Sequence, residues 1–350
     1  MSTRSRDLGA LVAPGVTAVS YAELQAVPFA AQARGGAVET STRQTSAEPD
    51  PTTTSPRSQL RALVKCGRPH QWVKNTLVFV PIILAGEFHV REAVLDTLLC
   101  FVALCVIASG TYILNDILDV ADDRKHWSKR FRPIASGALP IGTAAIAAPI
   151  IIFVGLVLGF LASTMAGVAL LTYLALTLAY SMGLKRVAML DVAALASLFT
   201  LRLVVGIMAA HVPLSHWLLT FSMFLFTSLC LAKRYVEVEG ASRRGQKAVS
   251  GRGYRAEDAP LLMSVGLSTG IASIVIMVLY IMFDAFDKTF YDNSEWLWGF
   301  PAILFLWISR IWLKAARRQL DDDPIAFAVT DLPSIVLGVG MLATFLIAWL

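Results

Sequence analysis

The chain has 350 residues, 56% of them hydrophobic and 16% charged, with a formal net charge of +5. Soluble domains lie nearer ~45–50% apolar and ~25% charged, which excludes an ordinary soluble globule, and four cysteines in this length exclude a disulfide-stapled scaffold. The composition implies an all-α polytopic bundle of transmembrane helices in a single domain over residues 57–350, with a separate N-terminal tail.

Residues 1–56 are rich in Ser, Thr, Ala and Pro and end in a Pro-punctuated stretch, Ala47 to Pro56. They offer too little apolar surface to offset the entropy of ordering, so a disordered tail is expected. Its longest apolar run, Leu8 to Val19, is broken by Gly9, Pro14 and Gly15 and lacks the solid core of a cleaved signal.

From residue 73 onward, apolar runs long enough for ~30 Å of hydrocarbon alternate with short polar connectors. Nine spans are predicted at 73–88, 93–114, 142–163, 165–182, 188–210, 216–232, 260–283, 296–316 and 332–350. The first is interrupted by Asn75 and Pro81, and only Ser163 and Thr164 separate the third from the fourth, so a count of eight stays open. Lys and Arg at span ends stay cytoplasmic. They crowd before span 1, in the 2–3, 4–5 and 6–7 loops and after span 8, and are sparse in the alternate loops. The N-terminus and the polar loops are therefore expected in the cytoplasm and the C-terminus on the opposite side, as in a bacterial inner-membrane protein.

The chemistry concentrates in those basic loops. Span 2 runs into Asn115, Asp116, Asp119 and Asp123, and a continuing helix would bring the three carboxylates to one face. Clustered like charges repel unless a cation sits among them, and oxygen donors of this kind suit Mg²⁺ together with substrate phosphates; a solvated acidic helix end is the alternative. Arg124, Lys125, His126, Lys129, Arg130 and Arg132 follow directly, so metal ligands adjoin phosphate-binding cations. After span 6 come Lys233, Arg234, Tyr235, Glu237 and Glu239. Lys233 and Glu237 share a helix face, either as a surface salt bridge or as a second diphosphate half-site. Span 5 carries Asp191 and, three turns deeper, Arg202, a charge that in a span marks a functional site or a structural pairing. Lys74 and Asn75 lie at the start of span 1, Lys74 snorkelling or contacting substrate, and Lys185 in the 4–5 loop. The cysteines have no metal spacing.

Asn115-Asp116-x-x-Asp119-x-x-x-Asp123 resembles the NDxxDxxxD signature of the UbiA prenyltransferase superfamily, and nine spans with polar cytoplasmic loops are similar to its architecture. The segments Arg68-Pro-x-Gln71-Trp72-Val-Lys74-Asn75, Asp123-Arg124 through Pro133 and Gly137, Lys233-Arg234-Tyr235-x-Glu237 and Asp322-Asp323-Pro324 look most like the decaprenyl-phosphate phosphoribosyltransferase branch. The resemblance covers residues 60 to 350. It departs from the aromatic prenyltransferases, whose second DxxxD motif is replaced here by Lys233, Arg234, Glu237 and Glu239. It implies transfer of 5-phosphoribose from phosphoribosyl diphosphate to a polyprenyl phosphate. Asp116, Asp119 and Asp123 would hold Mg²⁺ against the leaving diphosphate, and Lys129, Arg130, Arg132, Lys233 and Arg234 would bind phosphate oxygens. Prenyl transfer from a prenyl diphosphate to an aromatic acceptor is the main competitor, with Tyr112, Tyr173 and Tyr180 as shields for a carbocation. A non-catalytic lipid-binding or transport protein is the remote one. No nucleic-acid partner is expected.

Overall fold

Backbone polar groups have no water to bond in hydrocarbon, so apolar runs of this length satisfy them internally as helices. The structure, a computed structural model, describes residues 56–126, 128–249, 251–285, 290–320, 327 and 330–350, all within one compact unit, Pro51–Leu350. The expected tail, except Pro56, lies outside the described residues, as does the Asp322-Asp323-Pro324 motif. Among the described residues the β pairing is confined to an isolated bridge between Ala248 and Arg255.

The chain opens with α1 (Pro56–Cys66), then a 3₁₀ segment (Pro69–Phe79) continued by α2 (Val80–Leu84). α3 (Arg91–Leu118) and the short α4 (Val120–Lys125) carry the NDxxDxxxD residues. Next come α5 (Ile141–Ala162), α6 (Thr164–Met182), α7 (Leu190–Ala210), α8 (His216–Arg243), α9 (Ala259–Tyr280), α10 (Gly299–Ala316) and α11 (Leu332–Trp349). Among the described residues eight helices are long and apolar enough to cross a membrane, matching the second to ninth predicted spans. Ser163 does separate two helices, with extended backbone at φ −160° between α5 and α6.

The first predicted span takes a different form. Pro69 opens it, and Pro81, which has no N–H, leaves the Leu77 carbonyl without its α-helical donor. The Val80 N–H closes onto that carbonyl in the tighter 3₁₀ pattern instead. A 3₁₀ rise of ~2.0 Å over most of residues 69–84 still gives a length of about 30 Å, so the segment reaches as far as a longer α-helix. It wedges between α3 and α7. Gly206 in α7 permits this, because a Cβ there would stand 2.1 Å from the Val78 carbonyl oxygen.

The bundle has one highly charged end. The C-terminal ends of α3, α6, α8 and α10 and the N-terminal ends of α7, α9 and α11 meet there, tied by ion pairs such as Lys185–Asp119, Arg318–Glu239 and Arg310–Asp331. The other end is closed by aromatic rings: Phe88, Phe290 and Trp349 pack edge-on and stacked with centroids 5.3–6.1 Å apart.

Candidate active site

The three carboxylates of the first motif separate into two positions. α3 ends at Asp119, whose φ of −93° and ψ of 4° leave the helical region before α4 begins. The single continuous face expected from the sequence is therefore broken. Asp116 and Asp123, both 2% exposed, meet at one guanidinium: Arg132 Nη1 lies 3.2 Å from Asp116 Oδ1 and 2.7 Å from Asp123 Oδ2. Arg68 Nη2 adds a 2.6 Å contact to the same Asp116 oxygen. Asp119 turns to Lys185, whose Nζ donates to both its oxygens at 3.1 and 3.2 Å, and it accepts from Asn115 Nδ2 at 3.0 Å. Among the described residues no three His, Cys, Asp or Glu side chains converge closely enough to hold an ion. The donor set, carboxylate and amide oxygens only, fits a hard divalent cation in chemistry. Its negative charge is balanced here by cations from three separate loops.

The second constellation is closed on itself. Asp191, at the start of α7, and Arg234, in α8, are 0% and 1% exposed, with Arg234 Nε 2.7 Å from Asp191 Oδ2. Glu237 accepts from Arg234 and is ion-paired with Arg252, whose Nε lies 3.2 Å away. The Tyr254 hydroxyl donates to Asp191 and accepts from the Met189 N–H at 2.8 Å. Burial, followed by the bond to Asp191, raises the Tyr254 phenol well above its usual range. The α8–α9 connector comes this close because of Gly253, where a Cβ would lie 2.6 Å from the Arg186 carbonyl oxygen. Arg252 also donates to the Tyr180 hydroxyl at 3.3 Å, linking this connector to α6.

Between these groups lies a polar cavity of about 250 Å³. Arg68, Lys74, Arg202 and Lys233 line it together with Asn115, Tyr112, Tyr173, Tyr180, Thr177 and Ser181, and among the described residues no carboxylate does. Arg202 forms its floor: Nε donates to Asn75 Oδ1 at 3.0 Å, Nη2 to the Tyr173 hydroxyl at 3.1 Å and Nη1 to the Leu198 carbonyl at 2.6 Å. The Tyr173 and Phe199 rings sandwich its guanidinium at 5.1 and 4.9 Å. Below it is an apolar cavity of about 410 Å³ lined by the 3₁₀ segment, α2 and α7 to α11. The stacked rings of Phe199 and Phe226, 4.6 Å apart, stand between the two, one lining each.

The cavity thus gathers Lys74, Asn115, Arg202 and Lys233 of the expected residues, with Asn75 bonded behind Arg202. Asp191, Arg234 and Glu237 stand outside its lining in their own ion-pair cluster, and Tyr235 faces Trp312 at 6.2 Å. Lys129 and Arg130 are exposed, Arg130 over the Phe131 ring at 4.9 Å. Sequence reasoning had Arg68 in a motif without a role. It had Arg252 only as a loop cation and gave no signal for Tyr254, since their contacts to Asp191, Met189 and Tyr180 span 61 and more residues.

The profile of the UbiA prenyltransferase family matches residues 76–328. The chain is 42% identical over 284 residues to the uncharacterized protein y4nM of Sinorhizobium fredii, covering 80% of this chain and 54% of that one. It is 33% identical to nodulation protein NoeC of Azorhizobium caulinodans, covering 78% and 89%. It is 36% identical to the decaprenyl-phosphate phosphoribosyltransferase of Mycolicibacterium smegmatis, covering 58% and 65%. The chain thus spans about half the length of y4nM and just under two thirds of the phosphoribosyltransferase. In structure it superposes on a UbiA homologue from Archaeoglobus fulgidus, bound to GPP and Mg²⁺, with a TM-score of 0.61 at 13% identity, over 81% of this chain and 98% of that one. That likeness shows the fold.

Proposed function

The chain belongs to the UbiA prenyltransferase family, and from that premise we propose that it is a Mg²⁺-dependent membrane transferase moving 5-phosphoribose from phosphoribosyl diphosphate to a polyprenyl phosphate. The observation that carries this reading is the cavity lined, among the described residues, by Lys74, Arg202 and Lys233 and by no carboxylate, with Arg68 shared between it and Asp116 of the adjacent carboxylate group. A donor with phosphate at two positions needs two sets of cations. Lys74, Lys233 and Arg68 hold its phosphate oxygens, and charge-assisted bonds of this kind strengthen as oxygen charge grows in the transition state.

Asp116, Asp119 and Asp123 would hold the metal, which when bound neutralises the departing diphosphate. For that, Arg132 and Lys185 exchange their carboxylates for phosphate oxygens, a swap between partners of like charge. The acceptor phosphate is an anion already, so no strong general base is required. Arg202, held by hydrogen bonds to Asn75, Tyr173 and Leu198, keeps its geometry while its charge faces the cavity. The apolar cavity beyond the Phe199–Phe226 pair suits an isoprenoid chain, since it is lined almost wholly by aliphatic and aromatic side chains. The charged end of the bundle faces the cytoplasm under this reading, as the distribution of Lys and Arg supports.

A second reading is favoured by Tyr112, Tyr173, Tyr180 and Phe199 on the cavity wall and by the GPP-bound relative of the same fold. It is prenyl transfer to an aromatic acceptor, with those rings shielding an allylic cation. The test uses the purified chain in detergent with Mg²⁺ and polyprenyl phosphate, comparing labelled phosphoribosyl diphosphate with a labelled prenyl diphosphate plus an aromatic acid. Label passing from phosphoribosyl diphosphate into the lipid phase, and stopped by EDTA, supports the first reading; a prenylated aromatic product overturns it in favour of the second.

A further inference from the structure

Arg68 is the wall of two cavities. Besides the inner one, it lines an outer cavity of about 690 Å³ bounded by α1, the start of the 3₁₀ segment and the loop after α4. Arg61, Lys65, Arg68, His70 and Arg132 line this outer space with Ser128, and among the described residues Asp116 is its single carboxylate. Asp116 already receives Arg68 and Arg132. Arg61 and Lys65 therefore add charge that the carboxylate does not balance.

The shape of α1 makes this more than scattered basic residues. Its inner face, Ala62 and Cys66, is buried against Ile113, Ile134 and Leu139 in one apolar cluster, which fixes the helix in rotation. Arg61 and Lys65, one turn apart, are thereby held on the side of the helix that borders the cavity, and Val64 lines it between them. Arg68, two residues past the helix end, has a left-handed backbone at φ 51°, which costs a non-glycine residue energy and persists only where contacts hold it. Those contacts are Asp116 at 2.6 Å and the Tyr112 ring at 5.0 Å. The strained turn places one guanidinium between the two cavities.

We propose that the outer cavity is a second anion site, taking a phosphomonoester or diphosphate group, with Arg61 and Lys65 as its own ligands and Arg68 shared with the inner cavity. Guanidinium and ammonium groups on three sides of a pocket recognise phosphoryl oxygens. The anion comes either from solution or from a lipid headgroup, since Leu60 and Val64 are exposed on α1 beside the cations in the manner of an interfacial helix. The proposal does not depend on which transfer the inner site performs.

The test is anion binding by the full chain, without divalent metal and without any transfer reaction. One arm is equilibrium dialysis of labelled inorganic diphosphate against the chain in neutral phosphatidylcholine nanodiscs. The other is native mass spectrometry of the chain from nanodiscs holding one tenth phosphatidic acid in phosphatidylcholine. The Arg61→Gln, Lys65→Gln double variant alters only exposed side chains and is expected to lose one bound anion per chain in one arm. Loss in the dialysis arm assigns a soluble anion, and loss in the lipid arm assigns a headgroup. Arg57→Gln, on the same helix but off the cavity, is expected to match the wild type. Equal binding by wild type and double variant in both arms overturns the site, and so does an equal loss in Arg57→Gln, which would report surface charge alone. Lys233→Gln, run in parallel, reads the inner cavity, so this site and the proposed reaction fail separately.

Discussion

The two polar constellations beside the cavity have similar residue types and opposite construction. Around Asp116, Asp119 and Asp123 the balancing cations arrive from three places distant in the chain: Arg68 before the 3₁₀ segment, Arg132 after α4 and Lys185 between α6 and α7. Each of these cations is 20–25% exposed at its side chain and Asp119 is 31% exposed, whereas Asp116 and Asp123 are buried at 2–3% and release Arg132 only to an arriving cation that replaces it. Around Asp191 the cation is Arg234, at 1% exposure, locked further by Glu237, Arg252 and Tyr254. Partly solvated pairs between loops can trade partners when a polyanion arrives, because their net stabilisation is small. A buried pair cannot, since separating it strands a charge in low dielectric. The first constellation is built for exchange and the second for position.

Two substitutions attack that contrast where it is sharpest. Asp119→Ala, in the exchangeable group, is expected to lower the transfer rate by about 10³-fold while the purified chain keeps its elution volume and helical content. Full activity in that variant would end the carboxylate role. Arg234→Ala, in the fixed group, is expected to destabilise the fold by roughly 3–5 kcal/mol through the stranded Asp191, read as a lowered melting temperature in detergent. Should Arg234→Ala instead melt normally and lose only activity, the second constellation would belong with the first.

Much of this arrangement was legible in the sequence because it follows from local rules. Span positions follow from hydropathy over about 20 residues, and the Asp116 to Asp123 spacing follows from helix periodicity. The break at Asp119 was not legible, since it depends on Lys185, 66 residues later, and Arg132 drawing the carboxylates apart. The sequence exposed Asp191 and Arg234 as charges at span ends but could not show that they neutralise one another across 43 residues. Span 1, expected at 73–88, is instead a 3₁₀ and α segment over 69–84 that is not among the eight helices long and apolar enough to cross a membrane. Its 3₁₀ winding follows from Pro81 together with the tight contact at Gly206, and the second half of that cause lies in another helix.

Gly206 allows a smaller test of the same contrast. It sits one turn beyond Arg202, and the close approach of Val78 that it permits also brings Asn75 to Arg202. Gly206→Ala is expected to cost about 1–3 kcal/mol by overpacking and to shift the cavity floor. Its melting temperature should fall less than that of Arg234→Ala, while substrate affinity falls with it. Normal affinity at reduced stability would show that the floor repacks around the added methyl.

The gentlest probe is pH, applied at Asp331, which lies away from the cavity. This residue caps α11, accepting from the Ser334 N–H at 3.1 Å, and gathers Arg310 Nη2 at 3.0 Å and Lys314 Nζ at 2.9 Å. The Arg310 bonds first, then those of Lys314 and Ser334, outweigh burial and hold its carboxyl far below the usual carboxylate range. A group whose pKa is depressed by folding adds stability that is complete above its unfolded pKa, about 4, and is lost as pH falls toward its folded value. Melting temperature is therefore expected to be insensitive to Asp331 between about pH 6 and 8 and to decline below about pH 4. In Asp331→Asn that acid-side decline should be shallower than in the wild type, with a lower plateau above it. Its three cationic and capping partners are as local as those of Arg234, yet they are partly solvated, so the plateau loss should be smaller than for Arg234→Ala. An equal loss would mean that burial, at 1% exposure for Arg234 and 9% for Asp331, is not what separates fixed ion pairs from exchangeable ones in this bundle.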